Sequence, residues 1–93
     1  MSPEFEWDEA KRWTNIAKHG IDFECAKEIW QGPVLEVRSP QRSHGEARFL
    51  AYGEFEGVVI AVVFTWRGER RRLISARKAR AYERAWYDET APG

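Results

Sequence analysis

Val58-Val59-Ile60-Ala61-Val62-Val63-Phe64 is the most apolar run of the chain, and its reading decides the fold. Bounded by turn signals, it reads as the central strand, buried on both faces. Glu56-Gly57 before it is a hairpin turn signal, and Arg67-Gly68-Glu69 turns the chain again after it. Working outward, Arg48-Phe49-Leu50-Ala51-Tyr52-Gly53 reads as the preceding strand, and residues 70–76 pair back antiparallel on the other side. Val34-Leu35-Glu36-Val37 reads as an earlier strand. Residues 38–45, polar and containing Pro40, read as an exposed loop.

Toward the N-terminus the period changes. Phe5-Glu6-Trp7 alternates as a short strand does, and Asp8 can cap a helix with Glu9 in its first turn. Ala10, Trp13, Ile16 and Ala17 give that helix one apolar face, Lys18 and His19 sit in its last turn, and Gly20 stops it. Asp22 is a second N-cap. Phe23, Ala26, Ile29 and Trp30 form a second stripe, ended by Gly32-Pro33. Residues 77–87 read as the last helix, with Ala79, Tyr82, Ala85 and Trp86 inward. The expected fold is α+β: a short N-terminal strand, two helices, an antiparallel sheet of about four strands and a C-terminal helix. The helices are expected on one sheet face, in a single domain over residues 1–93.

The formal net charge of zero hides a dipolar chain. Residues 67–84 hold Arg67, Arg70, Arg71, Arg72, Arg77, Lys78, Arg80 and Arg84 against Glu69 and Glu83. In the first third, Glu4, Glu6, Asp8, Glu9, Asp22, Glu24, Glu28 and Glu36 outweigh Lys11, Arg12, Lys18 and Lys27. A basic C-terminal face points to a polyanion, or to an acidic partner protein; a solvated strand and helix face is the plainer reading. The single cysteine, Cys25, excludes an internal disulfide, and no apolar run reaches membrane-spanning length. No charged-then-apolar leader opens the chain, so the expected location is the cytoplasm. No Cys, His or Asp spacing suggests a metal site, and no cofactor is expected.

Several blocks resemble one family. Phe5-x-Trp7-Asp8-x-x-Lys11, then Asn15-x-x-Lys18-His19-Gly20-x-x-Phe23, is similar to the opening of BrnT-type toxins. Glu46-x-Arg48-Phe49 with Gly53 resembles their middle, and Arg72-Leu73-Ile74-Ser75-Ala76-Arg77-Lys78-Ala79 with Glu83 and Tyr87 resembles their end. The resemblance implies the toxin of a type II toxin–antitoxin pair with a RelE-like fold. It implies metal-independent RNA cleavage that blocks translation. It also implies neutralisation by a cognate antitoxin, usually of the ribbon-helix-helix DNA-binding type. The chain departs from the family pattern in one loop, where Ser39 stands at the usual acid and Arg42 at the usual histidine, with His44 two residues on.

Such cleavage needs four things: a proton taken from the 2′-hydroxyl, a proton given to the leaving 5′-oxygen, stabilisation of the phosphorane's charge, and in-line positioning. Arginine suits the charge stabilisation, because its planar fork matches phosphate oxygens. Arg48, Arg67 and Arg77, at strand ends and junctions, are the candidates, the plainer reading being phosphate anchors or ion pairs. Removing Arg77 is expected to abolish activity and leave the fold intact. For proton transfer the candidates are His44, Lys78, Tyr82 and Glu83. Tyr82 also reads as a stacking or core residue, and Glu83 as an ion-pair partner of Arg80 or Arg84. His19 reads as a helix cap and Cys25 as core. Arg70, Arg72, Arg80 and Arg84 are expected to bind RNA. The rival reading is a non-catalytic basic module that holds RNA or an acidic protein segment.

Overall fold

Alternation along the apolar run sets the layers of the protein. In the computed structural model, which describes residues 4–43 and 45–91, this run lies in β4 (Val58–Arg67), the middle strand of a five-stranded sheet. The order is β1-β5-β4-β3-β2, with β1 Phe5–Trp7, β2 Leu35–Ser43, β3 Glu46–Phe55 and β5 Arg70–Lys78. Strands β2 to β5 form an antiparallel meander; β1 joins β5 in parallel, pairing Phe5 with Arg71 and Trp7 with Leu73. The short first strand is therefore the fifth member of a mixed sheet.

The β3–β4 turn places Glu56 and Gly57 at φ of 52° and 79°. Both central residues are left-handed, as the tight hairpin turn that matches strand twist requires. Residues 38–43, expected as loop, belong to β2. The pairing slips between Arg38 and Arg42, a bulge that accommodates Pro40, and then resumes against Ala47 and Glu46.

Ile60, Val62 and Phe64 point to one face of the sheet. There they meet Phe23, Ala26 and Ile29 from α2 (Phe23–Ala26) and the 3-10 segment Lys27–Gln31 that continues it. Gly53 permits this approach: a Cβ there would lie 2.8 Å from Ile29 Cβ. Val59 and Ala61 point the other way, into a second cluster with Tyr52, Ala79 and Tyr87. That cluster is roofed by α3 (Ala81–Thr90), so the helices pack on both faces, not on one.

Two helix faces differ from their periodicity. In α1 (Glu9–His19) Trp13 is 60% exposed and Asn15 is buried. Asn15 takes the position a further strand would hold. Its Nδ2 donates to Ala76 O (2.9 Å) and its Oδ1 accepts from Ala76 N (3.0 Å), on the β5 edge beyond the end of β1. In α3, Tyr82 is 69% exposed and Ala85 faces solvent, while Glu83 and Tyr87 are buried. The helix begins later than expected, at Ala81, so Arg77 and Lys78 are strand residues. Among the described residues no helix is long and apolar enough to cross a membrane.

Candidate active site

Register places the arginines. Directly paired residues in antiparallel strands share a face. Ala61 pairs with Tyr52 and Arg77, Val63 with Leu50 and Ser75, Thr65 with Arg72, and Arg67 with Arg70. Continuing the β3–β4 register sets Arg48 beside Thr65 and Glu46 beside Arg67. Parallel pairing adds Glu6 beside Arg72. Arg48, Arg67, Arg70, Arg72 and Arg77 therefore occupy one face of the sheet, the one that carries α3.

That face has two halves. The α3-covered half holds Tyr52, Val59 and Ala61, with Leu35 and Leu50 at its margin. Beyond it stand Val63, Thr65 and the arginines of β3, β4 and β5. In this outer half each ion pair links neighbouring strands. Arg67 Nε meets Glu46 Oε2 at 3.0 Å, Arg72 Nη1 meets Glu6 Oε2 at 2.8 Å, and Arg70 lies 3.9 Å from the same carboxylate. Such part-exposed pairs contribute little to stability. Arg48 differs. Its Nε is buried and has no hydrogen-bond partner among the described residues. A buried guanidinium N–H gains from an acceptor oxygen, so this atom marks a place on the face where one can bind.

In the covered half Arg77 is spent on structure. Its Nη1 and Nη2 donate to Glu83 Oε1 and Oε2 at 2.8 and 3.0 Å. The same carboxylate accepts from Tyr52 Oη (2.8 Å) and from the Arg80 backbone N–H (2.7 Å), which also caps α3. Glu83 is 5% exposed, so its charge needs all of these donors. The Arg77 fork, chiefly, holds the Glu83 carboxyl down at about 2, against the opposing effect of burial. Burial, with the carboxylate as second cause, pushes the Tyr52 phenol up to about 12. Glu83 is therefore held as a carboxylate of low proton affinity near neutral pH, and its ion-pair partner is Arg77, not Arg80 or Arg84. Removing Arg77 strands a buried carboxylate, which revises the expectation of an intact fold.

The other expected site residues fall in several places. Lys78 pairs with Ile60 and so belongs to the opposite face. Tyr82 is exposed at the start of α3, within electrostatic reach of Arg77 and Tyr52. Arg80, the N-cap of α3, and Arg84 within it are exposed. His44 lies outside the described residues. Among the described residues no three His, Cys, Asp or Glu side chains are placed to hold a metal ion together. Burial, followed by neighbouring acids, pushes the Cys25 thiol up, away from nucleophile character.

Over residues 7–83 the chain matches the family described as the ribonuclease toxin, BrnT, of type II toxin–antitoxin systems. The chain belongs to this family. A search of the curated proteins gives no match. The BrnT match ends at Glu83, the residue that closes the Arg77 and Tyr52 network, and it spans every strand from β2 to β5 that carries the arginine face. Reading the sequence for site residues passed over Tyr52, Asn15 and Glu46. Glu46 was visible in the Glu46-x-Arg48 block, since positions two apart on a strand share a face. The roles of Tyr52 and Asn15 depend on partners 31 and 61 residues away, which spacing does not reveal.

Proposed function

We propose that this BrnT-family chain is a metal-independent endoribonuclease whose cleavage of RNA inhibits translation, and that its site is the outer, helix-free half of the arginine face. The observation that carries the reading is the buried Arg48 Nε, which has no hydrogen-bond partner among the described residues, beside the part-exposed ion pairs of Arg67, Arg70 and Arg72. A phosphodiester seated there supplies the missing acceptor. Arg48 and Arg67 then face the two extra half-charges of the phosphorane, and Arg70 and Arg72 hold a flanking phosphate.

Glu46 is the carboxylate placed for proton abstraction. It lies two residues from Arg48 on the same face, a separation of about 7 Å along the strand. Once phosphate displaces it from Arg67, its carboxylate takes the 2′-hydroxyl proton. The 2′-oxygen then forms its bond to phosphorus as the bond to the 5′-oxygen breaks, and the 5′-oxygen takes a proton from water. The products are a 2′,3′-cyclic phosphate and a 5′-hydroxyl. Tyr82, exposed at the rim, is a surface on which a base can stack.

The antitoxin, proposed to be of the ribbon-helix-helix class, covers the same half-face. Exposed Val37 and half-buried Leu50 and Val63 beside the arginines suit a segment with both apolar and acidic side chains. The test is incubation of antitoxin-free protein with RNA in EDTA, with mapping of the ends. Cleavage leaving cyclic phosphate and 5′-hydroxyl ends is expected. Cleavage only on adding a divalent cation, 5′-phosphate ends, or binding without cleavage contradicts the proposal.

A further inference from the structure

Most of the family-like residues in the first helix have a structural task. Trp7 packs edge-on against Phe23 at 6.0 Å, Asp8 caps the helix by accepting from Ala10 N at 2.8 Å, and Gly20 ends it at φ 71°. Asn15 pins the β5 edge. Lys11, Lys18 and His19 are freer: Lys18 and His19 lie in the helix's last turn, and among the described residues all three side chains are exposed and make no hydrogen bond or ion pair.

These three residues line one groove. It has a volume of about 300 Å3 and runs between α1 and β5, walled by Lys11, Thr14, Lys18, His19, Ile74 and Ser75. Lys11, Thr14 and Lys18 share a helix face by their spacing of three and four. The other wall comes from a bulge: the register against β4 slips between Val63 and Phe64, leaving Ile74 as the extra residue beside Ser75. Ser75 pairs with Val63, so it stands on the same sheet face as Arg72 and the rest of the arginine array. Ser75 is therefore common to the groove and to the face of the candidate site, and Lys11 and Lys18 bring positive charge to the groove's other wall. The one acid of α1, Glu9, does not line the groove and is held by Arg12 and by Trp7 Nε1.

We propose that this groove is a second RNA subsite, which takes the phosphodiester backbone flanking the cleavage point, with Lys11 and Lys18 on phosphates and the Ser75 and Thr14 hydroxyls available to phosphate or ribose oxygens. The inference rests on the nuclease reading of the arginine face. Two lysines about 10 Å apart along a helix, from seven residues at 1.5 Å rise, span a distance comparable to one or two nucleotide steps. Lysine acts here as a mobile point charge, which suits sequence-independent backbone contact.

The test is titration of the full chain with uncleavable 2′-O-methyl RNA over a range of salt concentrations. The double substitution Lys11→Gln, Lys18→Gln is expected to weaken binding and to reduce the slope of log K against log salt by about 1.4, from two contacts at about 0.7 each on a single strand. Lys11→Arg with Lys18→Arg is expected to retain the wild-type slope. Lys27→Gln, whose lysine is paired with Glu24 away from the groove, serves as the control and leaves the slope unchanged. An unchanged slope and affinity in the double glutamine variant overturns the subsite. So does lost antitoxin affinity with intact RNA binding, which assigns the groove to a protein partner. The titration needs no cleavage, so failure of the nuclease reading is seen separately, as absence of products from the wild-type protein.

Discussion

Arg48 and Arg71 stand on opposite faces of the same sheet, and each buries an Nε that has no hydrogen-bond partner among the described residues. Their surroundings differ. Arg71 lies between the rings of Trp30 and Trp66, at 4.8 and 4.6 Å, and donates to Glu36 at 3.0 Å, a carboxylate that also accepts from Trp30 Nε1. Aromatic faces and one carboxylate satisfy its charge within the protein. Among the described residues Arg48 has no ring and no carboxylate partner; Thr65 lies beside it, and the ion pairs Arg67–Glu46 and Arg72–Glu6 stand on the same face. The same residue type is thus compensated within the protein on one face and, on the other, offers the N–H proposed to meet an anion. Burial of an arginine does not separate structural from functional roles. Whether its charge is already compensated does.

The covered half of the arginine face extends the comparison, and there the largest effect is expected. Arg77→Ala leaves the Glu83 carboxylate buried without its bidentate partner, at a cost of about 3 kcal/mol. For a domain of this size that lowers the melting temperature by more than roughly 10 °C, measurable by circular dichroism or calorimetry. A melting temperature within a few degrees of wild type would make Arg77 a functional arginine like Arg48. The same network predicts an acid limb. Glu83 has a depressed folded pKa of about 2 against an unperturbed 4.5. Its contribution to stability is therefore complete above pH 4.5 and is lost as pH falls from there toward 2. Melting curves across that window should show the loss in the wild type and not in Glu83→Gln.

Arg48→Ala is expected to act in the opposite sense. RNA cleavage should fall roughly a hundredfold, as for loss of one transition-state donor, while the melting temperature stays within a few degrees. Arg48→Lys should recover only part of the rate, because a point charge lacks the planar fork. The smallest effect separates the faces most cleanly. Arg71→Ala should cost about 1–2 kcal/mol of stability from its ring contacts and leave cleavage by the folded protein unchanged. Equal losses of cleavage in Arg48→Ala and Arg71→Ala would erase the distinction.

Much of this was legible in the sequence, for physical reasons. The central strand, both hairpin turns and the caps at Asp8 and Asp22 follow from local chemistry, and all are present. The helix faces were misread where a polar residue is buried with a distant partner. Asn15 and Glu83 turn inward because Ala76, Arg77 and Tyr52 receive them, and Trp13 and Tyr82 turn outward as a result. Residues 38–43 read as loop because Pro40 and polar side chains mask a strand that exists only through its pairing with β3. The arginine-rich segment was plain. Its division into a structural Arg71, a structural Arg77 and an open array was not, since that depends on strand register and on one bulge at Ile74.

The most direct test follows the two orphan guanidinium groups themselves. Nitrogen-15 spectra of the arginine Nε–H groups, recorded while uncleavable 2′-O-methyl RNA is added, report each one separately. The Arg48 Nε–H signal is expected to shift and gain protection from solvent exchange, as a phosphate oxygen becomes its acceptor, while the Arg71 signal stays in place. A moving Arg71 beside a static Arg48 would contradict it and put the RNA on the aromatic face.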